Sequence, residues 1–313
     1  MRTMISAVVV SFNSSAHLER CLSSVLDAVD EAIVVDSQSS DGSADLVRRM
    51  FPSLRVLEVD NRGFGAAMNA GVQASSGDRL LLLNADTWAA EGAVAQLARC
   101  LDADERNAIT GPRLANLDGS LQRSVRGFPT PWRLITEYYF LRWLAPNSRA
   151  LNAFYGAGVD HRSRHTAEFL VGAVLLVRRT AFEEVGGFDT DFFMFNEEVD
   201  LCYRLDRAGW RTVFCPTAEF THVGGASTTP VWDSMYREQL RSHLRFLSKH
   251  HGEQTAERMR KVLMWSMRLR SVVFRGDRAR LSRDTGRWLA SAPAGDLIAS
   301  QDHARTTHGH DPT

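Results

Sequence analysis

Four short apolar segments, each followed by a polar residue, recur in the first 90 residues of the chain. They are ISAVVVSF (5–12), AIVVD (32–36), LRVLEVD (54–60) and RLLLLN (79–84), and their starts are 22 to 27 residues apart. Segments with helical spacing separate them. A repeat of this length is typical of βαβ units, and near-continuous apolar strands are typical of a parallel sheet covered on both faces. The pattern predicts an α/β fold.

The polar residues that follow these four strands are expected to meet at one edge of the sheet. They are Ser11 and Asn13, then segments 36–41, 60–65 and 84–86. Such residues also make turns and helix caps, and this would explain any single loop. Four such loops together favour a ligand-binding crevice, because open α/β sheets bind ligands beyond the carboxyl ends of their strands.

Charge and length exclude several other classes of protein. The 37 basic and 37 acidic residues cancel, so no overall field favours nucleic acid as a partner. The chain has no stretch of 18 apolar residues, and MRTMISAVVVSFNSS at its start favours a first strand over a signal peptide. Its 313 residues suit one large domain with an appendage. The cysteines form no CxxC pair and are expected to be reduced, buried thiols of a cytosolic protein: Cys21, Cys100, Cys202 and Cys215.

The segment NRGFGAAM (61–68) partly matches a dinucleotide-binding glycine pattern. Its last position is Met68 rather than Gly or Ala, and it follows the third strand rather than the first. A lone, imperfect match is weak support for an oxidoreductase that binds nicotinamide.

Asp86, just after the fourth strand, is a candidate ligand for a divalent cation. The chain has no GxxxxGK[ST] loop, so a nucleotide diphosphate would instead be held through Mg²⁺ or Mn²⁺, which prefer oxygen ligands. His222 in FTHVGGAS is a second candidate ligand, because imidazole binds Mn²⁺. A strand-end histidine that is hydrogen-bonded to the backbone is an equally good interpretation of His222.

Several motifs resemble, in their order, the inverting family 2 glycosyltransferases of GT-A fold, and among them the bacterial rhamnosyltransferase-like branch. The resemblance covers about residues 4 to 250. Six segments carry it: VVVSFNSSAHLERCLSSV, VVDSQSSDGS, NRGFGAAMNAG, LLLLNADT, GAVLLVRRTAFEEVGGFDTDFFMFNEEVDLCYRLDRAGW and FTHVGGAS. It implies a Rossmann-like mixed sheet flanked by helices, a nucleotide-sugar donor, and Mg²⁺ or Mn²⁺ as cofactor.

The resemblance also implies roles for residues at matching positions. Asn84 stands where the family carries the first aspartate of Asp-x-Asp, which leaves Asp86 as the metal carboxylate with His222 beside it. Glu197-Glu198 matches the family's Glu-Asp motif, so Glu198 is the expected catalytic base, with one extra methylene, and Glu197 is the alternative. Nucleotide binding is implied for Ser11, Asn13, Asp36, Asp41, Gly65, Asn69, Asn84 and Asp86.

The residues around this acidic pair predict a helix that Asn196 caps and Gly209 ends. Its apolar positions are Val199, Cys202, Leu205 and Ala208. Glu197 and Glu198 would lie in the first turn, where the helix dipole favours their ionised forms. A base must be ionised to accept a proton. Acidic residues are common in first turns, however, so this placement does not by itself establish catalysis.

Three further expectations concern the second half of the chain. Phe169 to Arg179 is predicted to form a strand, and 114–124 a hairpin around Asp118-Gly119. Asp200 and Arg204 are predicted to form an intrahelical pair, with a diphosphate contact of Arg204 as the alternative.

Two other segments invite a functional interpretation. Leu134 to Leu144 (LITEYYFLRWL) is apolar and aromatic but too short to cross a membrane. It is either core or a surface for a lipid-linked acceptor. His161 and His165 lie four residues apart in a basic run, where a solvated loop is favoured over a metal site.

The stretch 258–287 is strongly basic, with ten Lys or Arg and two acids among apolar residues. This pattern favours contact with an anionic membrane surface, and a packed helical appendage is the alternative. The predicted organisation is a catalytic domain at 1–250, with a nucleotide-binding half (1–110) and an acceptor half (111–250). A basic helical appendage (251–290) and a disordered tail (291–313) follow.

The expected function is that of a cytoplasmic glycosyltransferase, peripheral on the membrane, in cell-wall or surface polysaccharide synthesis. The branch resemblance favours transfer of L-rhamnose from dTDP-rhamnose, with inversion, to a lipid-linked or polysaccharide acceptor. One alternative is a galactosyl-, glucosyl- or mannosyltransferase that uses a UDP- or GDP-sugar. Another is a non-catalytic sugar-nucleotide-binding homologue, because Asn84 and Glu198 replace aspartates. Nucleic acid is not an expected partner, and a homodimer is a further expectation.

Overall fold

The structure is a computed structural model that describes residues 3–224 and 232–299. These residues divide into two compact units, 3–128 with 140–224, and 129–139 with 232–299. The predicted domain boundary at residue 250 lies instead near 231, because the helix Trp232–His251 belongs wholly to the second unit. Its buried leucines pack with those of the helices that follow it.

The first unit is built on a mixed ten-stranded sheet, beside a separate two-stranded ribbon. The strands are β1 (Ile5–Ser11), β2 (Glu31–Asp36), β3 (Arg55–Glu58), β4 (Arg79–Asn84), β5 (Thr87–Ala89), β6 (Asn107–Ala115), β7 (Leu121–Gln122), β8 (Val125–Arg126), β9 (His165–Ala167), β10 (Phe169–Leu170), β11 (Val174–Arg178) and β12 (Arg211–His222). The order across the main sheet is β3-β2-β1-β4-β11-β6-β12-β5, with β7 beside β6 and β9 beside β12. β8 and β10 form the ribbon.

Helices cover the sheet and build the second unit. They are α1 (Ser15–Val25), α2 (Ser43–Met50), α3 (Phe64–Ala74), α4 (Ala93–Asp102), α5 (Pro131–Tyr138), α6 (Arg149–Asn152), α7 (Arg179–Glu184), α8 (Glu197–Arg207), α9 (Trp232–His251), α10 (Glu253–Val273), α11 (Gly276–Ser291) and α12 (Ala294–Ala299). Short 3₁₀ turns occupy Leu26–Ala28, Leu141–Trp143 and Ala153–Tyr155. No helix among the described residues is long and apolar enough to cross a membrane.

The first four strands form three parallel pairs, β1 with β2, β1 with β4, and β2 with β3. This confirms the α/β prediction for the first part of the chain. β1 is buried along its whole length, as expected for a strand covered on both faces. The register places Ser11 beside Asp36 and Val10 beside Asn84. The polar ends of three neighbouring strands therefore meet at one edge, as predicted.

The second unit is a helical cluster of α5 and α9 to α12. Its shared core includes Leu134 and Tyr138 of α5 together with leucines and methionines of α9 and α10. Interpretation of 134–144 as core is therefore correct for α5, but Trp143 and Leu144 belong to the first unit and are 61% and 78% exposed.

The predicted disorder of the tail is wrong for residues 291–299. Ser291 is the last residue of α11, residues 294–299 form α12, and Ala294 and Leu297 are buried in the helical core. These apolar side chains are buried against the helical core. The amino-acid composition of the tail does not show that this core is available to them. The rest of that predicted tail, 300–313, lies outside the described residues.

The expectation of four reduced cysteines is wrong for two of them. Cys100 and Cys215 form a disulfide across 115 residues of sequence. α4 packs against β12, which brings the two together, and no sequence spacing signals this contact. Cys21 and Cys202 are buried free thiols, as predicted, and burial raises the pKa of each to about 12.

The segment FLVGAVLLVRR is two strands rather than one. β10 pairs with β8 in the ribbon, whereas β11 pairs with β4 and β6 in the main sheet. The chain changes sheets at 171–173, where the backbone N–H of Val171 donates to the carbonyl of Ser124. The predicted hairpin around Asp118-Gly119 is confirmed by the antiparallel pairing of β6 with β7.

Candidate active site

Ser11 and Asp36 lie side by side at the carboxyl ends of β1 and β2, at the edge where a binding crevice is predicted. Both side chains are buried. Asp36 Oδ1 accepts a hydrogen bond from the backbone N–H of Ser39 at 2.9 Å. Asp36 Oδ2 and Ser11 Oγ are buried and have no hydrogen-bond partner among the described residues. Because a buried polar atom without a partner is unfavourable, a polar ligand is the natural partner for these two atoms.

Asn13 and Asp41 hold the surrounding loops in place. Asn13 has a positive φ of 50°, and its Oδ1 accepts from the backbone N–H of Ser40 at 2.8 Å. Asp41 accepts from the backbone N–H groups of Ser15 and Ser43 at 2.9 and 3.0 Å. Burial opposes ionisation of Asp41, but the hydrogen bonds from Ser43 and Ser15 outweigh it and lower the pKa. Both side chains therefore shape the loops around the crevice.

Gly65 and Asn69 attach α3 to the segment that precedes α8. The Asn69 side-chain N–H₂ donates to the carbonyl of Phe188 at 2.8 Å, and its Oδ1 accepts from the Phe188 N–H at 3.0 Å. A Cβ at Gly65 would lie 3.0 Å from Phe188 Cβ and 3.6 Å from Glu197 Cβ. These two residues thus fix the entry to α8, and the Asn69 amide is engaged by backbone.

Asp86 and His222 face each other across the loop that follows β4. Asp86 Oδ1 lies 3.4 Å from His222 Nε2, and Asp86 Oδ2 accepts from the backbone N–H of Gly224 at 3.1 Å. Burial raises the pKa of Asp86, but His222 and Gly224 outweigh this effect, so the pKa is below its usual value. β12 brings His222 to this place by pairing antiparallel with β5, where His222 is opposite Thr87. The structure therefore brings together the two residues predicted as metal ligands.

Gln122 orients the His222 ring, and no motif in the sequence identifies it as a site residue. Its side-chain N–H₂ donates to Asn116 Oδ1 at 3.0 Å and to the carbonyl of His222 at 3.3 Å. Its Oε1 therefore faces His222 Nδ1, 2.7 Å away, and accepts a hydrogen bond from Nδ1–H. In the neutral imidazole, this leaves the Nε2 lone pair directed to the side of Asp86.

The donor set fits a divalent cation of the Mg²⁺ or Mn²⁺ type. It combines a carboxylate oxygen with an imidazole nitrogen whose other nitrogen is held by an amide, an arrangement common around metal-binding histidines. Asn84 precedes Asp86 by two residues in the sequence. Its side-chain Oδ1 is buried and has no hydrogen-bond partner among the described residues. No group of three or more His, Cys, Asp or Glu that could hold a metal occurs in the described part of the chain. A cation here would use few protein ligands, as Mg²⁺ does when substrate phosphates complete its coordination.

The acidic pair lies in the first turn of α8, as predicted. Asn196 occupies the N-cap position, as predicted, but it has φ 65° and its side chain makes no capping hydrogen bond. A capping side chain normally accepts a hydrogen bond from a backbone N–H of the first turn when the N-cap residue has an extended backbone. Asn196 has a left-handed backbone instead. Glu197 is buried.

Glu198 has a raised pKa, contrary to the expectation that the helix dipole would dominate. Desolvation by burial is the largest cause, and backbone N–H groups and the charge of Arg126 only partly offset it. The side chain lies against Gly172, where an added Cβ would be 3.2 Å from Glu198 Cβ. Glu198 Oε2 is buried and has no hydrogen-bond partner among the described residues. A desolvated carboxylate with a raised pKa is well suited to accept a proton.

Arg204 is structural, which settles its two interpretations. Its Nε donates to Asp200 at 2.6 Å, and its two terminal nitrogens donate to the carbonyls of Val185 and Gly187. The predicted intrahelical pair is confirmed, and this guanidinium is engaged throughout by protein. His161 and His165 also have a packing role, since both rings lie 5.4 Å from the ring of Phe214.

Comparison with known proteins agrees with this geometry. The family described as "Glycosyl transferase family 2" matches residues 6–186. The N-acetylglucosaminyl-diphospho-decaprenol L-rhamnosyltransferase of Mycobacterium tuberculosis (strain ATCC 25618 / H37Rv) is 30% identical over 286 residues, which cover 87% of this chain and 92% of that protein. The chain belongs to glycosyltransferase family 2.

Solved structures show that this glycosyltransferase has the GT-A fold. GalNAc-T7 with UDP, GalNAc and Mn²⁺ aligns with a TM-score of 0.57 at 16% identity, over 95% of this chain and 58% of that one. The mannosyltransferase PcManGT from Pyrobaculum calidifontis, in complex with GDP-Man and Mn²⁺, aligns with a TM-score of 0.54 at 15% identity, over 96% of this chain and 84% of that one. At these identities the likeness concerns the fold alone.

Proposed function

We propose that this glycosyltransferase moves L-rhamnose from dTDP-rhamnose to a lipid-linked acceptor, with inversion, in cell-wall or surface polysaccharide synthesis. The observation that carries the proposal is the facing pair of Asp86 and His222, together with the buried oxygens of Ser11 and Asp36 that have no partner among the described residues. The choice of sugar and acceptor is supported by the rhamnosyltransferase relative, which is named for a lipid-linked diphosphosugar.

In the proposed reaction, the base removes the proton of an acceptor hydroxyl while the new bond forms. Glu198 takes this proton on a carboxylate oxygen, and the hydroxyl oxygen attacks the anomeric carbon on the face opposite the leaving group. The bond from the anomeric carbon to the diphosphate oxygen breaks, and its electron pair leaves with dTDP. When bound by Asp86 and His222, Mg²⁺ or Mn²⁺ would neutralise charge on that diphosphate. Ser11 and Asp36 are proposed to bind the nucleoside.

Thermal unfolding with a panel of nucleotides and nucleotide sugars, with and without Mn²⁺, tests the donor assignment. A bound ligand raises apparent stability by RT ln(1 + [L]/Kd). We expect the largest Mn²⁺-dependent shift with dTDP species. A larger shift with UDP or GDP species would keep the enzyme class and overturn the rhamnose assignment. No shift with any nucleotide would contradict nucleotide binding by this chain, for the catalytic and the non-catalytic interpretation alike.

Gln122→Leu is expected to weaken Mn²⁺ binding about 10- to 100-fold, as loss of outer partners of metal-binding histidines does. The reason is that the His222 ring loses the acceptor that holds its Nδ1 proton. Free Mn²⁺ measured by electron paramagnetic resonance reports the affinity without any need for turnover. Gln122→Glu keeps an acceptor for Nδ1–H and should retain most of the affinity. Gln73→Leu, at an exposed glutamine on α3, is the control. Equal affinities in all four proteins would contradict the orienting role.

Peripheral contact with the cytoplasmic face of a membrane is the proposed location. On α10, Trp265, Leu269, Val272 and Val273 are 44% to 83% exposed and follow the spacing of one helix face. Arg268 lies on the same face, with its guanidinium carbon 4.4 Å from the Trp265 ring centroid. A patch of apolar residues interleaved with arginine suits the interface of an anionic bilayer.

The double variant Trp265→Ser/Leu269→Ser is expected to lower partitioning onto vesicles of anionic phospholipid at least about tenfold. Fully burying one large apolar side chain is worth about 1.5–3 kcal/mol, and about 1.4 kcal/mol is a factor of ten. Co-sedimentation with the vesicles measures the partition. Leu117→Ser removes an even more exposed leucine from the β6–β7 turn and should have no effect. If both proteins partition like the wild type, α10 is not the membrane contact.

A further inference from the structure

Two arginines of the first unit share one aromatic ring. The guanidinium carbon of Arg126 lies 5.1 Å from the centroid of Tyr155, and that of Arg142 lies 4.7 Å from the same centroid. Arg126 Nε is buried and has no hydrogen-bond partner among the described residues. The two guanidinium carbons are therefore at most about 10 Å apart, which places two positive charges around one aromatic ring.

The backbone around Tyr155 fits tightly against the strand that carries Arg126. The N–H of Gly127 donates to the carbonyl of Phe154 at 3.4 Å. Gly156 has φ 65°, and a Cβ at this position would lie 2.2 Å from the carbonyl oxygen of Val125. Only glycine satisfies both conditions without strain. The backbone that carries Tyr155 is therefore held closely against β8, the strand that carries Arg126.

Arg126 lies on β8 of the ribbon, which leads to the residue against which the proposed base packs. β8 pairs with β10, Arg126 being opposite Phe169, and the chain leaves β10 through Gly172, against which Glu198 packs. The positive charge of Arg126 is near enough to Glu198 to lower its pKa against the larger effect of burial. A ligand held by the arginines would thus be next to the group that accepts the acceptor's proton.

Exposed apolar side chains follow directly after Arg142. Trp143 and Leu144 are the exposed end of the apolar segment, and the Phe140 ring lies 5.1 Å from the Trp143 ring. Large exposed apolar residues next to a pair of arginines match a ligand with a polyanionic head and a hydrocarbon chain. A polyprenyl diphosphate has this composition.

We propose that Arg126 and Arg142 bind the diphosphate of a polyprenyl-diphosphate-linked acceptor, and that Trp143 and Leu144 contact the first part of its hydrocarbon chain. The inference rests on the proposed function, because it concerns the acceptor of that same reaction. The proposal assigns the two diphosphates of the reaction to different sites. The donor diphosphate is assigned to a cation held by Asp86 and His222. The acceptor diphosphate is assigned to a pair of guanidinium groups that need no metal.

Calorimetric titration of geranyl diphosphate into the full chain in EDTA tests this assignment, since a metal-dependent donor site does not contribute under these conditions. We expect the wild type to bind, and Arg126→Gln and Arg142→Gln each to bind about 10- to 100-fold more weakly, as expected for loss of a charge-assisted contact. Geraniol, which lacks the diphosphate, should bind none of the proteins measurably. Arg123→Gln, at an exposed arginine just before β8, should bind like the wild type.

Three outcomes would overturn the inference: no binding by the wild type, wild-type affinity in both glutamine variants, or an equal loss in Arg123→Gln. Arg126→Lys and Arg142→Lys keep the charge but not the planar fork. Their intermediate affinities would support the inference even if one glutamine variant failed to fold. A separate titration of dTDP with Mn²⁺ tests the donor site. Its failure would overturn the proposed function without altering the result for geranyl diphosphate.

Discussion

Replacing Glu198 by Gln is expected to lower kcat by about 10²- to 10⁴-fold, the usual contribution of a general base. The amide has nearly the same shape as the carboxylate but cannot accept the acceptor's proton. The measurement is turnover with saturating donor and acceptor. Glu91→Gln, at an exposed glutamate before α4, is the matched control and should turn over like the wild type.

The pH dependence of the wild type should show the raised pKa of Glu198. The base works only when ionised, so kcat/KM should fall as pH decreases through a pKa that lies above the ordinary carboxyl value. An acidic limb at or below the ordinary value would mean that a different, solvated carboxylate is titrating.

Stability should change in the opposite direction from activity. A raised pKa in the folded state means that ionised Glu198 destabilises the fold, and this penalty is fully present above the folded-state pKa. It disappears as pH falls toward the ordinary carboxyl value. Glu198→Gln should therefore have a higher Tm than the wild type at neutral pH, with a difference that shrinks in acid.

Glu197→Gln separates the two candidate bases. If Glu198 is the base, Glu197→Gln should keep an acidic limb in the same place, whereas Glu198→Gln should lose it. Near-full turnover of Glu198→Gln, together with a large loss in Glu197→Gln, would move the assignment to Glu197.

Asp86→Asn is expected to weaken Mn²⁺-dependent nucleotide binding by at least about 100-fold. Loss of outer partners of a metal site costs about 10- to 100-fold, and a direct ligand should reach or exceed the upper end of that range. Asn keeps the shape of Asp86, so the effect isolates the charge. Titration of dTDP with and without Mn²⁺ gives the affinities, and turnover should fall in parallel.

Two comparisons make the Asp86 result interpretable. Asp206→Asn, at an exposed position of α8, should bind nucleotide like the wild type. His222→Gln should also weaken the Mn²⁺-dependent part of binding while leaving any metal-independent part unchanged. Unchanged Mn²⁺ dependence in Asp86→Asn would refute the assignment of this carboxylate as a metal ligand.

The first half of the fold was predictable because its signals are local. Four apolar strands at regular spacing predict parallel pairing, and the register then brings Ser11, Asp36 and Asn84 to one edge. Asp86 follows from the same pattern, since it lies two residues past a buried strand. The pairing of Asp200 with Arg204 was equally predictable, because it depends only on helix geometry.

Residues that act through long-range contacts gave no such signal. Gln122 reaches His222 across 100 residues of sequence, and the disulfide of Cys100 with Cys215 spans 115. Gly172 divides one apolar run between two sheets, although the run has the composition of a single strand. Each of these features depends on how distant elements pack, and periodicity describes only neighbours along the chain.

The sequence by itself determined the parallel α/β core, the edge where polar loops meet and the acidic pair of α8, because hydrophobic period and turn chemistry act over a few residues. Only the tertiary structure decided which atoms at that edge lack partners and that burial raises the pKa of Glu198 above its usual range. It also decided that Arg126 and Arg142 share the Tyr155 ring. Desolvation and charge proximity depend on distances in space, and these distances are set when the sheet, the ribbon and α8 pack together.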